Sequence, residues 1–321
     1  MLIPCGLIVL GVVFLVLGGE TILRGAVGLA TLLRLSPAVI GLTVVAAGTS
    51  VPELAVSAMA SYQGSAEIAV ANVIGSNIFN ITVILGLCAV FRPIAVVGNT
   101  IKLEYPVLLL VTFLGVVLEH DGEIGRLDGM LFIAFYVGFT TYLVRLVRRQ
   151  VSAEEAAELK AEVAELTPAT ERPSPWVCLG LLTAGVTFLG LGANVTVEGA
   201  VQLARLLGWS ERVIGLTIVS AGTGLPEVVA SLISSIRGRS DVAVGNVIGS
   251  NLFNILGVLG ISSMLAPLPV DPQLIATDAW WMLGITLLLF PMLWSGRQII
   301  RAEGLLLLVV YCVYVGRLLI N

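Results

Sequence analysis

The chain has 321 residues, 57% of them hydrophobic and 12% charged, with a formal net charge of −4 and a mean hydropathy of +1.02. Soluble domains carry about 25% charged residues, so a cytosolic or secreted globular protein is excluded and a polytopic membrane protein is indicated. With 17 basic against 21 acidic residues, no positive surplus is available to grip a polyanion, which removes nucleic-acid binding from consideration.

A bilayer core of about 30 Å takes about 20 apolar residues per helix. In chain order that ruler picks out ten segments, at 2–18, 37–60, 68–91, 103–118, 128–147, 176–192, 212–236, 242–265, 279–295 and 303–320. The first lacks the basic n-region and small-residue cleavage site of a signal peptide and reads as a true span. Between the fifth and sixth runs the one strongly polar stretch, VSAEEAAELKAEVAELTPATERPSP, where Val151, Leu159, Val163 and Leu166 recur at near-helical spacing. It reads as a short solvated or interfacial helix, too short for a folded sensor domain. Sorting Lys and Arg by alternate loops puts 13 on the side of 148–175 and four on the other. The positive-inside rule then places 148–175 in the cytoplasm and both termini outside. Cys5, Cys88, Cys178 and Cys312 fall inside apolar stretches without paired spacing and read as small buried residues.

Residues 41–88 align without a gap on 215–262, at a constant offset of 174, with 25 of 48 positions identical. The offset also pairs Gly6 with Gly180, Gly25 with Gly199 and Pro93 with Pro267. Because each half holds five spans, an odd number, equivalent helices must run in opposite directions. The expected fold is an all-α polytopic membrane protein with ten transmembrane helices in two inverted-topology five-helix repeats. Residues 1–147 form the first repeat, 148–175 a cytoplasmic linker and 176–321 the second repeat.

Each half carries one carboxylate deep in an apolar segment, Glu53 and Glu227, directly after Pro52 and Pro226. An acid at the bilayer centre costs about 2.5 to 3.5 kcal/mol on insertion scales, so two at matched positions call for a shared interior or a bound cation. The prolines release the carbonyls of Gly48 and Gly222 from the helix ladder, and such backbone is tolerated in a membrane only facing protein or water. The next span of each half adds amides and hydroxyls at one-turn spacing, Asn72, Ser76 and Asn80, then Asn246, Ser250 and Asn254. Asn77 and Asn251 lie about 100° round and read more as helix-joining residues than as ligands. The resulting inventory is all oxygen, without imidazole or thiolate, and suits Ca²⁺ or Na⁺. Glu53 and Glu227 stand out as the carboxylates at depth.

GTSVPE (48–53) with GSNIFN (75–80), and GTGLPE (222–227) with GSNLFN (249–254), resemble the cation/calcium exchanger superfamily, most closely prokaryotic sodium/calcium exchangers. The resemblance covers nearly the whole chain. It implies that Glu53 and Glu227 coordinate Ca²⁺ and share in Na⁺ sites, with Thr49 and Thr223 adding oxygens. It further implies one Na⁺ position lined by the Ala46 carbonyl, Ser50 and Ser76, and another by the Ser220 carbonyl, Thr223 and Ser250. Asn80 and Asn254 would border the middle of the cluster. Three positions depart from the family pattern: Asn254 stands where many relatives have Asp, Gly224 replaces a serine and Ser220 replaces a small apolar residue.

The expected activity is exchange of Ca²⁺ for Na⁺ by alternating access in a prokaryotic plasma membrane, with H⁺/Ca²⁺ exchange on the same scaffold as the alternative. No cofactor is implied beyond the transported ions, and the sequence sets no oligomeric state. An intramembrane enzyme would need a nucleophile or metal-binding His or Cys at depth, yet the sole His120 lies in the EHDGE loop. A passive channel remains a rival that flux measurements separate.

Overall fold

The computed structural model describes residues 2–33, 35–62, 66–96, 100–150, 174–208 and 220–320. Its helices are α1 Leu2–Leu33, α2 Pro37–Thr49, α3 Val51–Tyr62, α4 Glu67–Phe91, α5 Thr100–Asp121, α6 Arg126–Gln150, α7 Pro175–Leu206, α8 Ser220–Thr223, α9 Leu225–Ile236, α10 Ser240–Leu265, α11 Leu274–Trp294 and α12 Arg301–Ile320. Seven are long and apolar enough to cross a membrane, and α2 with α3, bent by 45°, makes an eighth. α9 is a shorter apolar helix, and α12 carries Arg301, Glu303 and Arg317. The expected linker, over 151–173, and the beginning of the expected seventh span lie outside the described residues.

The elements recur at the offset already seen in the sequence. α3 and α9, α4 and α10, and the π-helical turns Thr100–Glu104 and Leu274–Asp278 are separated by about 174 residues. Arg92 and Ala266 end their helices in extended conformation, as expected for residues that precede Pro93 and Pro267. The chain then forms four strands of two residues each, which an all-helical reading did not anticipate. β1 Ile94–Ala95 pairs antiparallel with β4 Gln298–Ile299, and β2 Glu123–Ile124 with β3 Leu268–Pro269. Each ladder joins one half of the chain to the other.

The first span of each half extends well beyond its expected end. α1 and α7 have 32 residues each, about 48 Å of helix, because the segments after Gly18 and Gly192 continue with small residues that pack. The two run antiparallel along their length. Gly11 lies on Gly192, Gly18 on Gly185 and Leu189, Gly25 on Leu182, and Gly199 on Pro4 and Ile8. Glycines spaced seven apart let the two backbones approach closely, the packing that replaces hydrophobic burial within lipid. Glu20, in the extension of α1, is ion-paired with Arg237 at the end of α9.

α10 is buried throughout its apolar stretch and forms the centre of the bundle. α2 lies against it where Gly245 and Gly249 leave room: a Cβ at Gly245 would fall 2.4 Å from the Ala38 carbonyl oxygen. This contact brings the break between α2 and α3 beside α10.

The α1–α7 seam makes a positional prediction. A Cβ at Gly192 would lie 2.7 Å from the Leu15 nitrogen, whereas Gly190 has nothing within 4 Å. Gly192→Val is therefore expected to destabilise the detergent-solubilised protein by about 1–3 kcal/mol, the usual scale of overpacking, while Gly190→Val leaves its melting temperature within a degree or two of wild type.

Candidate cation site

Two broken helices build the site. Ser50, at φ −84° and ψ 12°, separates α2 from α3, and Gly224, at φ −83° and ψ −1°, separates α8 from α9. Pro52 and Pro226 follow each break and, lacking an N–H, leave the Gly48 and Gly222 carbonyls without their helical donors. Glu53 and Glu227 fall in the first turns of α3 and α9, where the helix dipole favours negative charge. Each is 2% exposed.

The halves exchange contacts here. Ser50 Oγ, from the first half, donates to Glu227 Oε1 at 3.1 Å. Thr49 Oγ1 lies 3.4 Å from Asn246 Oδ1 and 3.3 Å from the Ala46 carbonyl oxygen, donating toward both. Asn246 Nδ2 in turn donates to Ser231 Oγ at 2.9 Å, and its counterpart Asn72 Nδ2 to Ser57 Oγ at 3.0 Å. The amide ladders of α4 and α10 are thereby fixed to the glutamate-bearing helices α3 and α9.

One turn deeper, four asparagines join α4 to α10. Asn77 Nδ2 donates to the Asn251 carbonyl at 3.4 Å, and Asn251 Nδ2 to the Asn77 carbonyl at 3.3 Å. Asn80 Nδ2 donates to Asn251 Oδ1 at 3.0 Å, and Asn254 Nδ2 to Asn77 Oδ1 at 3.1 Å. The network repeats itself under exchange of the halves. Asn77 and Asn251 are therefore helix joiners, as their position round the helix implied. Asn80 and Asn254 also begin the π-helical turns Asn80–Ile84 and Asn254–Leu259, a local widening common at functional sites that the sequence does not announce.

Four oxygens in this region are buried without a hydrogen-bond partner among the described residues: Glu53 Oε2, Glu227 Oε2, Ser250 Oγ and Asn254 Oδ1. Buried polar atoms are nearly always satisfied, so these four, of seven such oxygens among the described residues, fit a cation that supplies the missing interaction. The donor set is oxygen alone. Among the described residues no group of three or more His, Cys, Asp or Glu could hold a metal. This leaves two carboxylates with neutral oxygens, the chemistry of a hard ion.

The other expected residues are placed less centrally. Ser76 and Thr223 are half-buried. Ala46 is fully buried, and its carbonyl accepts from the Ser50 amide at 3.0 Å as well as from Thr49. Ser220 opens α8, but its side chain lies outside the described residues. The two faces of the site also differ. Gly75 on α4 borders open space, whereas a Cβ on Gly249 would run into the Leu42 carbonyl; Asn72 and Ser76 are half-buried where Asn246 and Ser250 are buried.

Three further carboxylates escaped the sequence reading. Glu104 is 1% exposed and accepts from Thr100 Oγ1 at 2.8 Å, Asp278 is 7% exposed and accepts from the Tyr314 hydroxyl at 3.0 Å, and Glu119 is 2% exposed. Glu53 and Glu227 are thus not alone in being buried. The offset of 174 also pairs Glu104 with Asp278, and that acid-for-acid match was the available signal.

Apolar helices long enough to span a bilayer, packed round two helix breaks that each carry a buried carboxylate, define a membrane protein. Residues 3–145 and 177–320 match the family model described as sodium/calcium exchanger protein, and the chain belongs to that family of transporters. It is 41% identical over 319 residues to the putative antiporter CaxA of Alkalimonas amylolytica, covering 98% of each chain. It is 31% identical to the sodium/calcium exchanger MaX1 of Methanosarcina acetivorans, covering 96% of each. The fold resembles a solved structure of the sodium-calcium exchanger NCX_Mj soaked with zero Na⁺ and Ca²⁺, with a TM-score of 0.84, 32% identity and 99% of both chains covered.

The asparagine network sets a stability prediction. Asn251→Ala removes the acceptor of Asn80 Nδ2 and the donor to the Asn77 carbonyl inside the bundle. Leaving such groups unpaired costs about 1–3 kcal/mol each, so Asn251→Ala should lower the melting temperature more than Asn72→Ala, at a half-buried position.

Proposed function

We propose that the protein is a secondary active antiporter that exchanges Ca²⁺ for Na⁺ by alternating access at the Glu53–Glu227 cluster. The observation that carries this reading is the set of four buried, unpartnered oxygens, one on each of Glu53 and Glu227 and one each on Ser250 and Asn254. One Ca²⁺ neutralises both glutamates, and Na⁺ ions compete for the same oxygens. Ser50, Ser76, Thr49, Thr223, Ser250, Asn80 and Asn254 with the carbonyls of Ala46 and Ser220 complete the ligand set. Emptied of cations, two buried carboxylates repel, which disfavours closure of the vacant site and couples one ion flow to the other.

Alternating access follows from the repeat. Ten spans in two inverted halves, 1–147 and 176–321 about a cytoplasmic linker, would present each ligand group once towards either side of the membrane. The antiparallel run of α1 against its counterpart α7 supports inversion, since equivalent helices of inverted repeats point in opposite directions. The ladders support it too: β1 with β4, and β2 with β3, are the pairs of loops that ten spans assign to the same membrane face. The positive-inside rule puts both termini outside the plasma membrane.

Proteoliposomes loaded with Na⁺ test the reading. ⁴⁵Ca²⁺ uptake should rise with the outward Na⁺ gradient and fall to background in Glu53→Gln or Glu227→Gln protein that reconstitutes normally. Uptake indifferent to Na⁺ but driven by a pH gradient in Na⁺-free buffer would assign the coupling to H⁺ instead, and uptake needing no counter-ion would make the protein a channel.

A further inference from the structure

The two halves of the cluster differ at two pairs of positions, Ala46 against Ser220, which the cluster uses through their carbonyls, and Ser50 against Gly224. Ser50 and Gly224 are related by the offset of 174, and each forms the break before its glutamate. Their backbones are nearly superimposable, at φ −84°, ψ 12° and φ −83°, ψ −1°. Neither pair of angles calls for glycine, because any L-residue adopts negative φ of this size. The conformation therefore does not explain why the second break lacks a side chain.

Packing does. A Cβ built on Gly224 would lie 2.9 Å from Phe79 Cε1 and 3.2 Å from Cδ1. The Phe79 ring is held edge-on by Tyr311 of α12, with centroids 5.7 Å apart and an interplanar angle of 73°. The ring occupies the volume that a side chain at 224 would need. In the other half the serine is present and used, Ser50 Oγ donating to Glu227 Oε1. Position 224 has no hydroxyl to offer Glu53, whose Oε2 is buried and unpartnered.

We infer that Gly224, with Phe79 packed on it, is a specificity-determining position that weakens Na⁺ binding beside Glu53 relative to Ca²⁺ and lowers the number of Na⁺ ions the cluster holds. The inference rests on reading the cluster as a Na⁺/Ca²⁺ site. Ca²⁺ draws chiefly on the two carboxylates, which both halves supply. A Na⁺ ion relies more on neutral oxygens to complete its shell, and the break beside Glu53 supplies no hydroxyl. The cluster is therefore lopsided at its breaks: Ser50 offers a hydroxyl and Gly224 offers none.

The test is the Na⁺ dependence of ⁴⁵Ca²⁺ uptake in proteoliposomes for wild type, Phe79→Leu, Phe79→Leu/Gly224→Ala and Phe79→Leu/Gly224→Ser. Replacing the ring makes room; alanine fills that room without an oxygen, and serine fills it with one. The serine double variant should need at least about threefold less Na⁺ for half-maximal inhibition than the alanine double variant, with a steeper dependence, since added oxygen ligands tune cation affinity. Equal Na⁺ dependence in the two double variants overturns the inference. If the double variants lose Ca²⁺ uptake, Ser50→Gly supplies the reciprocal reading. It should raise the half-inhibitory Na⁺ concentration, and an unchanged value overturns the claim that a hydroxyl at this break tunes sodium. Wild-type uptake insensitive to Na⁺ would instead refute the exchanger reading itself.

Discussion

Two carboxylates held out of water without enough hydrogen-bond donors are the constraint on which the rest depends. A buried charge is costly unless it is paired, and here each glutamate keeps one oxygen with no partner among the described residues. The protein does not relieve the demand with arginine or lysine. Hydroxyls and amides lie beside the pair, Ser50 donating to Glu227 and Asn72 and Asn246 fixed to the glutamate-bearing helices, and on the proposed reading these are the groups that solvate a visiting cation. On the proposed reading such a centre is stable chiefly when occupied, which is the property a carrier needs and a structural core does not.

The surrounding architecture holds that centre in place. Proline and the residue at each break stop the helices where the glutamates begin, so backbone polarity and side-chain charge meet at one place. The asparagine network ties α4 to α10 through symmetric bonds and satisfies the amide nitrogens while leaving Asn254 Oδ1 over. The long α1–α7 pair packs through glycines and is anchored by few side-chain bonds to the bundle, Glu20–Arg237 among them. Rigid polar fastening thus sits at the centre and smooth close packing at the periphery.

Much of this was readable in the residues. The composition excludes a soluble domain, the offset of 174 reveals the duplication, and the matched Pro-Glu pairs point to the two buried glutamates beside the helix breaks because acids are so costly in lipid. Asn77 and Asn251 could be assigned to helix joining from their angle round the helix. Other features were hidden because they depend on long-range packing. The π-helical turns have no local composition signal, and the two-residue ladders form only where loops distant in sequence meet. α1 runs past its expected end because Gly25 and its small neighbours find α7, more than 150 residues away in sequence. Phe79 reaches Gly224 across the halves, which turns an apparent loss of a hydroxyl into a filled volume.

The central claim is that Ca²⁺ and Na⁺ occupy the same two-carboxylate centre in turn. Equilibrium ⁴⁵Ca²⁺ binding to the purified protein under increasing Na⁺ tests it most directly. The account predicts one Ca²⁺ per chain, displaced competitively by Na⁺, with no saturable binding left when both glutamates are glutamine. Saturable Ca²⁺ binding that Na⁺ leaves unchanged, or that survives in the double glutamine variant, would contradict it.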